Sequence, residues 1–526
     1  MFIANPSNGV WQRINANATP ARDPAISPDG KTIAFRSKRD GTWDIYTMPT
    51  NGTVATRLTR GMIYSGAPVW SPDGKKIAFE SYARGDLDIW VTGVNADGTQ
   101  PIDLTDNEKT YDYAPAWSPD GKWIAFTSWR TGTQQVFIVP ADCTKNCQSV
   151  NISQSKFNDQ KPAWSPDGKK IAFVSDRDGQ RAIYTADFPT SGLKTATRIT
   201  FSGWDDSPAW SPDGKWIAFV SARPTRQPIY IVPSTCGIPQ IIDNGPTYAT
   251  SVVWSSSNII TPDNSNPSLP PLYKEQPDLA LPGVDHPYEL RRMRSAQLEG
   301  GYSKLSGRVA DSFVSMQDRL KKEVGYDFLA ILSDMLRPID AKCDATCDTL
   351  SWHKAGRAID TRLDYGNALE VVREDQQGET FWRVFLRADK QDGTMGEPLK
   401  EAPWDFSYRA RWVVGRGEGG TPKPLPYGFY VDFTEIARQY DWQRISSHDG
   451  EDLDWKTNKI GAEYWHYQQQ DGINWYQAMR EVYSENDLQS IADWNALVKS
   501  EYDPYLLYLK NIPGPATAWK WNVLRP

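Results

Sequence analysis

The sequence predicts a multidomain protein: an all-β six-bladed β-propeller, then an α+β domain with a small antiparallel sheet. Three observations carry that reading. A turn tetrapeptide recurs at near-constant spacing through the first half, a proline-rich break follows it, and helical and strand periodicities mix in the second half. The chain has 526 residues, too many for one hydrophobic core.

The repeat comes first. Ser-Pro-Asp-Gly starts at Ser27, Ser71, Ser118, Ser165 and Ser211, and a decayed sixth copy starts at Ser255. The spacings are 44, 47, 47, 46 and 44 residues. From the second copy onward a tryptophan precedes the serine (Trp70, Trp117, Trp164, Trp210, Trp254). Proline presets the second turn position, aspartate caps the turn locally, and glycine takes the tight corner. A β-run such as Lys75-Lys-Ile-Ala-Phe-Glu-Ser81 follows. A second turn near Arg39-Asp-Gly41 leads into Asp44-Ile-Tyr-Thr-Met48, and Ala55-Thr-Arg-Leu-Thr59 closes the unit. Four short strands in about 45 residues is the signature of a propeller blade. The aspartate of each turn is explained by the turn itself and needs no cation.

The ends of the array match each other. Phe2 to Asn15 reads as the third and fourth strands of a blade. The sixth unit supplies only Ser251-Val-Val-Trp254 and Asn258-Ile-Ile-Thr261. A two-plus-two clasp completing a sixth blade is therefore expected, since it removes the free edges. That closure leaves room for little before Met1 except an export signal or tether. The Trp-Ser-Pro-Asp-Gly units resemble the TolB-type propeller repeat over residues 1–261. The resemblance implies a fold and a role in binding or gating, with an envelope protein as one expected partner.

Residues 262–283 hold six prolines and no apolar period, so they form an extended linker. Residues 284–484 follow as the α+β domain. Val309, Phe313, Met316, Leu320 and Val324 fall at helical spacing before Gly325. Phe328-Leu-Ala-Ile-Leu-Ser333 reads as a buried strand, and Leu369–Arg373 with Phe381–Leu386 as a hairpin. Phe433, Ile436, Ala437 and Tyr440 mark a short helix. Residues 485–526 form an aromatic-rich tail expected to pack back on this domain.

Composition excludes several classes. Apolar residues at 39% and aromatics at 12% suit a globular chain, and 58 basic against 65 acidic residues leave no footprint for nucleic acid. No run of eighteen apolar residues exists, so no transmembrane segment is expected. Met1–Val10 lacks the basic start and apolar core of a signal peptide, so the chain is cytosolic or its export signal is trimmed. Cys143/Cys147 and Cys343/Cys347 share one spacing. As local disulfides they favour an extracytoplasmic setting, secreted, periplasmic or at the cell surface; as chance thiol pairs they say nothing. Cys236 is left over.

The chemistry centres on two segments. The four histidines are His286, His353, His448 and His466. In Ser351-Trp-His-Lys-Ala-Gly-Arg-Ala-Ile-Asp360, His353 and Asp360 stand seven apart. On a helix that offset separates them by about 10 Å, too far for one ion with bonds of about 2.0–2.2 Å. A strand, a turn at Gly356 and a second strand bring them together instead. His466, in the strand-like Tyr464-Trp-His-Tyr-Gln468, supplies a third ligand and leaves one position open, as a catalytic zinc requires. Glu463 is the candidate general acid/base. Its odd offset from His466 demands a kink between them, or a place for Glu463 in the incoming loop.

Together the segments resemble the zinc D-Ala-D-Ala carboxypeptidases of the vancomycin-resistance type. That family carries Ser-x-His-x-x-Gly-x-Ala-x-Asp and Glu-x-Trp-His, matched by Ser351, His353, Gly356, Ala358 and Asp360, then Glu463, Trp465 and His466. The resemblance implies an α+β zinc peptidase domain holding one Zn2+ on His353, Asp360 and His466, with Glu463 as general acid/base. It places substrate and oxyanion contacts on Arg337, and substrate or site orientation on Ser351. The implied substrate is a peptidoglycan stem peptide or another D-Ala-terminated peptide. Tyr464 replaces the family's proline. Residues 365–428 read as an insertion, either a wall of the cleft or a surface ornament. His448 reads first as an exposed loop residue, with a place in the cleft lining as the alternative, and His286 has no assigned role. A non-enzymatic envelope adaptor with an inactive domain is the alternative. A serine peptidase of the prolyl-oligopeptidase type is excluded, because no Gly-x-Ser-x-Gly follows the linker.

Overall fold

The computed structural model describes residues 2–513 except 6–9, 14–19, 52–53, 95–99, 107–109, 189–191, 202–203, 222–227, 243–248, 256–286, 299–302, 341–349, 363–367, 377, 407–420, 449–461, 471–472, 490, 501, 503 and 511. The linker, Asn258–Thr261, His286 and the Cys343/Cys347 pair lie outside the described residues.

The repeats fold as successive four-stranded antiparallel sheets, five of them among the described residues, opening at Ala21, Ser65, Asp112, Asp159 and Asp205. Each Ser-Pro-Asp-Gly closes the turn between the first two strands. Its aspartate accepts from the serine hydroxyl and from the backbone two residues on, as Asp29 does from Ser27 Oγ at 2.6 Å and Lys31 N at 3.1 Å. The same pair of bonds recurs at Asp73, Asp120, Asp167 and Asp213. The tryptophan before the turn has a separate task. The indoles of Trp70, Trp164, Trp210 and Trp254 each donate to a carbonyl of the preceding sheet, at Ala25, Ala116, Ala163 and Ala209. Turn and inter-sheet spacer are thus written in one pentapeptide. Trp117 departs, donating back to Gly121 O. Phe2–Asn5 and Val10–Arg13 pair with each other as a two-stranded hairpin. Ser251–Trp254 forms no strand, although Trp254 keeps the inter-sheet bond.

In the second half, α1 (Gly307–Val324) starts at Ser306, whose hydroxyl accepts from Arg308 N, and stops at the left-handed Gly325. Its buried stripe Val309, Phe313, Met316, Leu320 and Val324 faces the core, each side chain stabilising by about 1.5–3 kcal/mol. One five-stranded sheet carries the site. Its strands are β1 (Gln297–Leu298), β2 (Ile331–Asp334), β3 (Ala358–Thr361), β4 (Gln443–Arg444) and β5 (His466–Gln468), in the order β1-β2-β3-β5-β4. The stretch expected to be a strand from Phe328 opens instead as a 3-10 turn, Phe328–Ala330, before β2. The turn is closed by Ala330 N, which donates to Asp327 O at 3.3 Å. Strand β3 follows the turn segment 351–356, and His353 lies within that turn. The hairpin expected around His353 is therefore a coil of turns entering one strand. The short helix Phe433–Gln439 is present and capped by Asp432.

The 365–428 region is built into the molecule. Leu369–Gln376 and Glu379–Arg387 form a long hairpin that pairs with Phe429–Asp432, which in turn pairs with Glu397–Pro398. This sheet docks on the propeller. Trp43, Tyr64, Tyr82, Tyr111 and Tyr113 of the repeats share one buried cluster with Ala388 and Phe429. Gly393 is needed at that contact: it has φ +80°, and a Cβ there would sit 2.0 Å from Ile63 O. The surface-ornament reading of this region is set aside by that packing. The tail folds as short helices whose Leu488, Leu497 and Leu507, with Ile512 beyond the last of them, are buried with Leu350, Ala355, Trp475 and Met479. Cys143 and Cys147 form a disulfide, and Cys236 is free and exposed.

Candidate metal centre

Strand register brings two of the candidate ligands together. In the antiparallel β3–β5 pair, Asp360 lies directly opposite His466, so residues 106 apart in sequence face each other on one side of the sheet. Asp360 Oδ1 lies 2.8 Å from His466 Nδ1. The 351–356 turn supplies the third group, with His353 Nε2 at 3.2 Å from the same oxygen. Ligand atoms of His353, Asp360 and His466 all lie within 4.8 Å of one another, the one such grouping among the described residues. Gly356 makes the turn possible. It adopts φ +63°, and a Cβ would fall 2.7 Å from Ser306 N, which donates to Gly356 O at 2.8 Å. Arg357, fully buried, then ties the start of β3 to Glu481 at 2.5 Å and to Gln469 O at 3.1 Å.

Both imidazoles are oriented from behind. His353 Nδ1 faces Met335 O at 3.0 Å, so the ring N–H donates there and Nε2 carries the lone pair toward the centre. That Nε2 is buried and outside hydrogen-bonding geometry with any group. His466 Nε2 faces Gln468 Oε1 at 3.2 Å, which directs Nδ1 toward Asp360. A buried imidazole lone pair without a donor, beside a carboxylate and a second oriented imidazole, is a donor set that fits a divalent cation such as zinc.

The electrostatics follow the same geometry. Burial pushes the Asp360 carboxyl up, but the two imidazoles outweigh it and hold the group far below the usual carboxylate range. Burial lowers His466, and Asp360, with Glu463 behind it, reverses that and raises it above the ordinary imidazole value. Glu463 sits at a backbone kink with φ +52°, and His466 N donates to its carbonyl at 3.2 Å. The chain therefore turns between Glu463 and His466. Arg337 Nε bonds Asp334 at 2.6 Å, leaving Nη2 at 3.8 Å from Asp360. Ser351 Oγ accepts from His353 N at 3.3 Å, and its carbonyl accepts from Trp475.

Three participants escaped the sequence reading. Gln468 was detectable, since position i+2 from His466 shares its face on a strand. The Met335 carbonyl carries no side-chain signal. His448, read as an exposed loop residue, is half exposed yet places Nε2 at 3.3 Å from Glu463 Oε1; only the fold brings that loop to the site.

Comparison with known proteins bears on the repeats. A model of the TolB beta propeller domain matches residues 59–150 and 144–266, so TolB-type propeller repeats are present in this chain. A 59-residue stretch is 37% identical to the tricorn protease homolog 1 of Streptomyces coelicolor, covering 11% of this chain and 6% of that protein's length. Among solved structures, a putative TolB from Agrobacterium tumefaciens aligns at 22% identity and TM-score 0.40, over 46% of this chain and 86% of that one. TolB from Acinetobacter baumannii aligns at 24% identity and TM-score 0.38, over 44% of this chain and 60% of that one. A puromycin-hydrolyzing peptidase of Mycobacterium tuberculosis aligns at 15% and 0.36, over 44% of this chain and 39% of that one.

Proposed function

We propose that this protein is a zinc-dependent peptidase cutting bonds next to D-amino acids in peptidoglycan peptides, and that it works outside the cytoplasm. The observation that carries the reading is the convergence of His353, Asp360 and His466, with the buried His353 Nε2 beside the Asp360 carboxylate and without a hydrogen-bond donor among the described residues. In this reading the propeller has six blades, the 2–13 hairpin completing the unit opened by Trp254.

A zinc ion held by these three groups supplies Lewis acidity and lowers the pKa of a water ligand toward about 7. The chain's own residues do the rest. Glu463 takes a proton from the attacking water and delivers it to the leaving amine. His448, half exposed, links that carboxylate to solvent. Arg337 is held by Asp334 with its outer nitrogen turned to the centre, where it can bind a substrate carboxylate or a developing oxyanion. Ser351 holds the turn that carries His353. No helix among the described residues is long and apolar enough to cross a membrane.

The experiment measures bound zinc and D-alanine release from muropeptides, for the native chain and Glu463→Gln. One zinc per chain is expected, with turnover lost in the variant and zinc retained. A metal-free protein that cleaves no cell-wall peptide refutes the reading. Zinc without turnover favours an envelope adaptor.

A further inference from the structure

We propose that the 369–432 sheet is a positioning element for Glu463, and that the propeller anchors it and so acts on the catalytic step. This rests on the peptidase reading above. The starting observation is strain. Glu463 is a non-glycine residue at φ +52°, a conformation that persists only where the surroundings impose it.

Those surroundings come from the inserted sheet. Trp382 Nε1 donates to Ser447 Oγ at 2.8 Å, and Ser447 Oγ donates to Ala462 O at 3.0 Å, the carbonyl just before Glu463. Ser447 N donates to Thr380 O at 2.7 Å, fixing the same loop to the hairpin edge. On the other side of Glu463, the Tyr464 ring stacks on Phe406 at 5.5 Å, and Phe406 packs edge-on against Trp382 at 4.7 Å. Tyr464 is the position where this chain departs from the proline of the family pattern. Its aromatic ring gives the insertion a handle on the base that proline lacks.

Phe406 lies five residues beyond a segment locked into the propeller. Glu397 pairs with Arg36 at 2.7 Å and Arg22 at 3.4 Å in the first sheet of repeats. Lys400 pairs with the fully buried Glu80 in the second, and its carbonyl accepts from Trp129 at 2.9 Å in the third. Glu401 pairs with Arg181 at 2.5 Å in the fourth. Four successive repeat units thus hold the 397–401 segment, three through ion pairs to Glu397, Lys400 and Glu401 and one through the Lys400 carbonyl, a few residues along the chain from the contact with Tyr464. Docking on the propeller limits how far Phe406 can withdraw, and Phe406 limits how far the Glu463 kink can relax.

The test uses the full chain carrying Glu401→Arg, Arg181→Glu, both together, and separately Phe406→Leu. Bound zinc, kcat, KM and hydrogen exchange of the 462–466 backbone are measured. Each single change is expected to speed exchange at 462–466 at least tenfold and to lower kcat at least tenfold. Zinc stoichiometry stays at one per chain and KM moves less than threefold. The double swap is expected to recover both to within threefold, which a merely misfolded variant would not do. Faster exchange at 388–401 with none at 462–466 overturns the inference, as does a Phe406→Leu chain with native exchange and kcat. If the native chain proves inactive, the peptidase reading fails, while exchange at 462–466 still decides whether the propeller positions Glu463.

Discussion

Replacing Gln468 by leucine removes one acceptor and tests the metal centre without touching a ligand. Gln468 is buried, and its Oε1 lies 3.2 Å from His466 Nε2. Without it, a neutral His466 has two choices. It keeps the proton on Nε2 as an unsatisfied buried donor, at a cost of about 1–3 kcal/mol. Or it moves the proton to Nδ1, where Asp360 Oδ1 accepts it, and the lone pair meant for the metal is lost. Either way the metal-bound state loses ground. Removing the partner of a ligating histidine typically weakens binding 10–100-fold, or about 1.4–2.8 kcal/mol at 1.4 per decade. The assay is a competition titration of the metal-free protein against a chromophoric chelator at fixed pH, with circular dichroism confirming the fold. Asp360→Asn serves as the ligand-loss control and is expected to weaken binding further. An affinity within twofold of the native protein for Gln468→Leu would refute the tautomer argument.

Other perturbations probe the scaffold. Gly356→Ala forces a Cβ to 2.7 Å from Ser306 N at a residue with φ +63°; denaturant melts are expected to show a loss of about 2–4 kcal/mol, with metal affinity falling alongside. Lys400→Met removes the ion-pair partner of the buried Glu80 and leaves it hydrogen bonds from Tyr64 and Ala114 N and the more distant charge of Arg36, a loss of about 3–5 kcal/mol near neutral pH. Burial raises Glu80, but Lys400 outweighs it and holds the carboxyl below its ordinary range. Its contribution is therefore present above the unfolded carboxylate pKa and disappears as pH falls through the folded value, so the variant's deficit should shrink in acid, and Glu80→Gln should rescue it. In the second repeat Asp103 stands opposite Trp90, where the first repeat has Arg57 opposite Tyr46, paired with Asp44 at 2.5 Å. Burial first, and Asp103 next, push Asp88 up to about 8. A raised carboxyl stabilises below its unfolded pKa and loses that contribution as pH rises through about 8. Asp103→Arg is expected to add about 1.5–3 kcal/mol at pH 8 and to flatten the fall in stability between about pH 4 and pH 8; an unchanged pH profile in thermal melts would count against it.

The repeat architecture was legible because its information is local. One pentapeptide encodes both the turn, through the Asp29-type bonds, and the contact to the neighbouring unit, through the tryptophan indole. The helix at 307–324 was legible for the same reason, its cap residues and apolar stripe being adjacent in sequence. The strand expected from Phe328 begins only at Ile331, after a 3-10 turn, and His353 lies in a turn where a strand was expected, so local β-propensity did not decide either place. His448 read as a surface residue because its proximity to Glu463 exists only after the loop folds over the sheet.

By itself, the sequence determined the repeat unit, the position of the break, and the residue types able to bind a metal and move a proton. Those properties depend on side-chain chemistry and on spacing within one segment. Tertiary structure alone decided that Asp360 faces His466, through strand register, and that the kink expected between Glu463 and His466 is made by a positive φ at Glu463 itself. It also decided that the insertion joins the propeller to that kink through Glu397, Lys400 and Glu401 at one end and Phe406 at the other. Charge pairs between residues more than two hundred positions apart leave no period or motif in a single chain, and only the folded backbone brings them within reach.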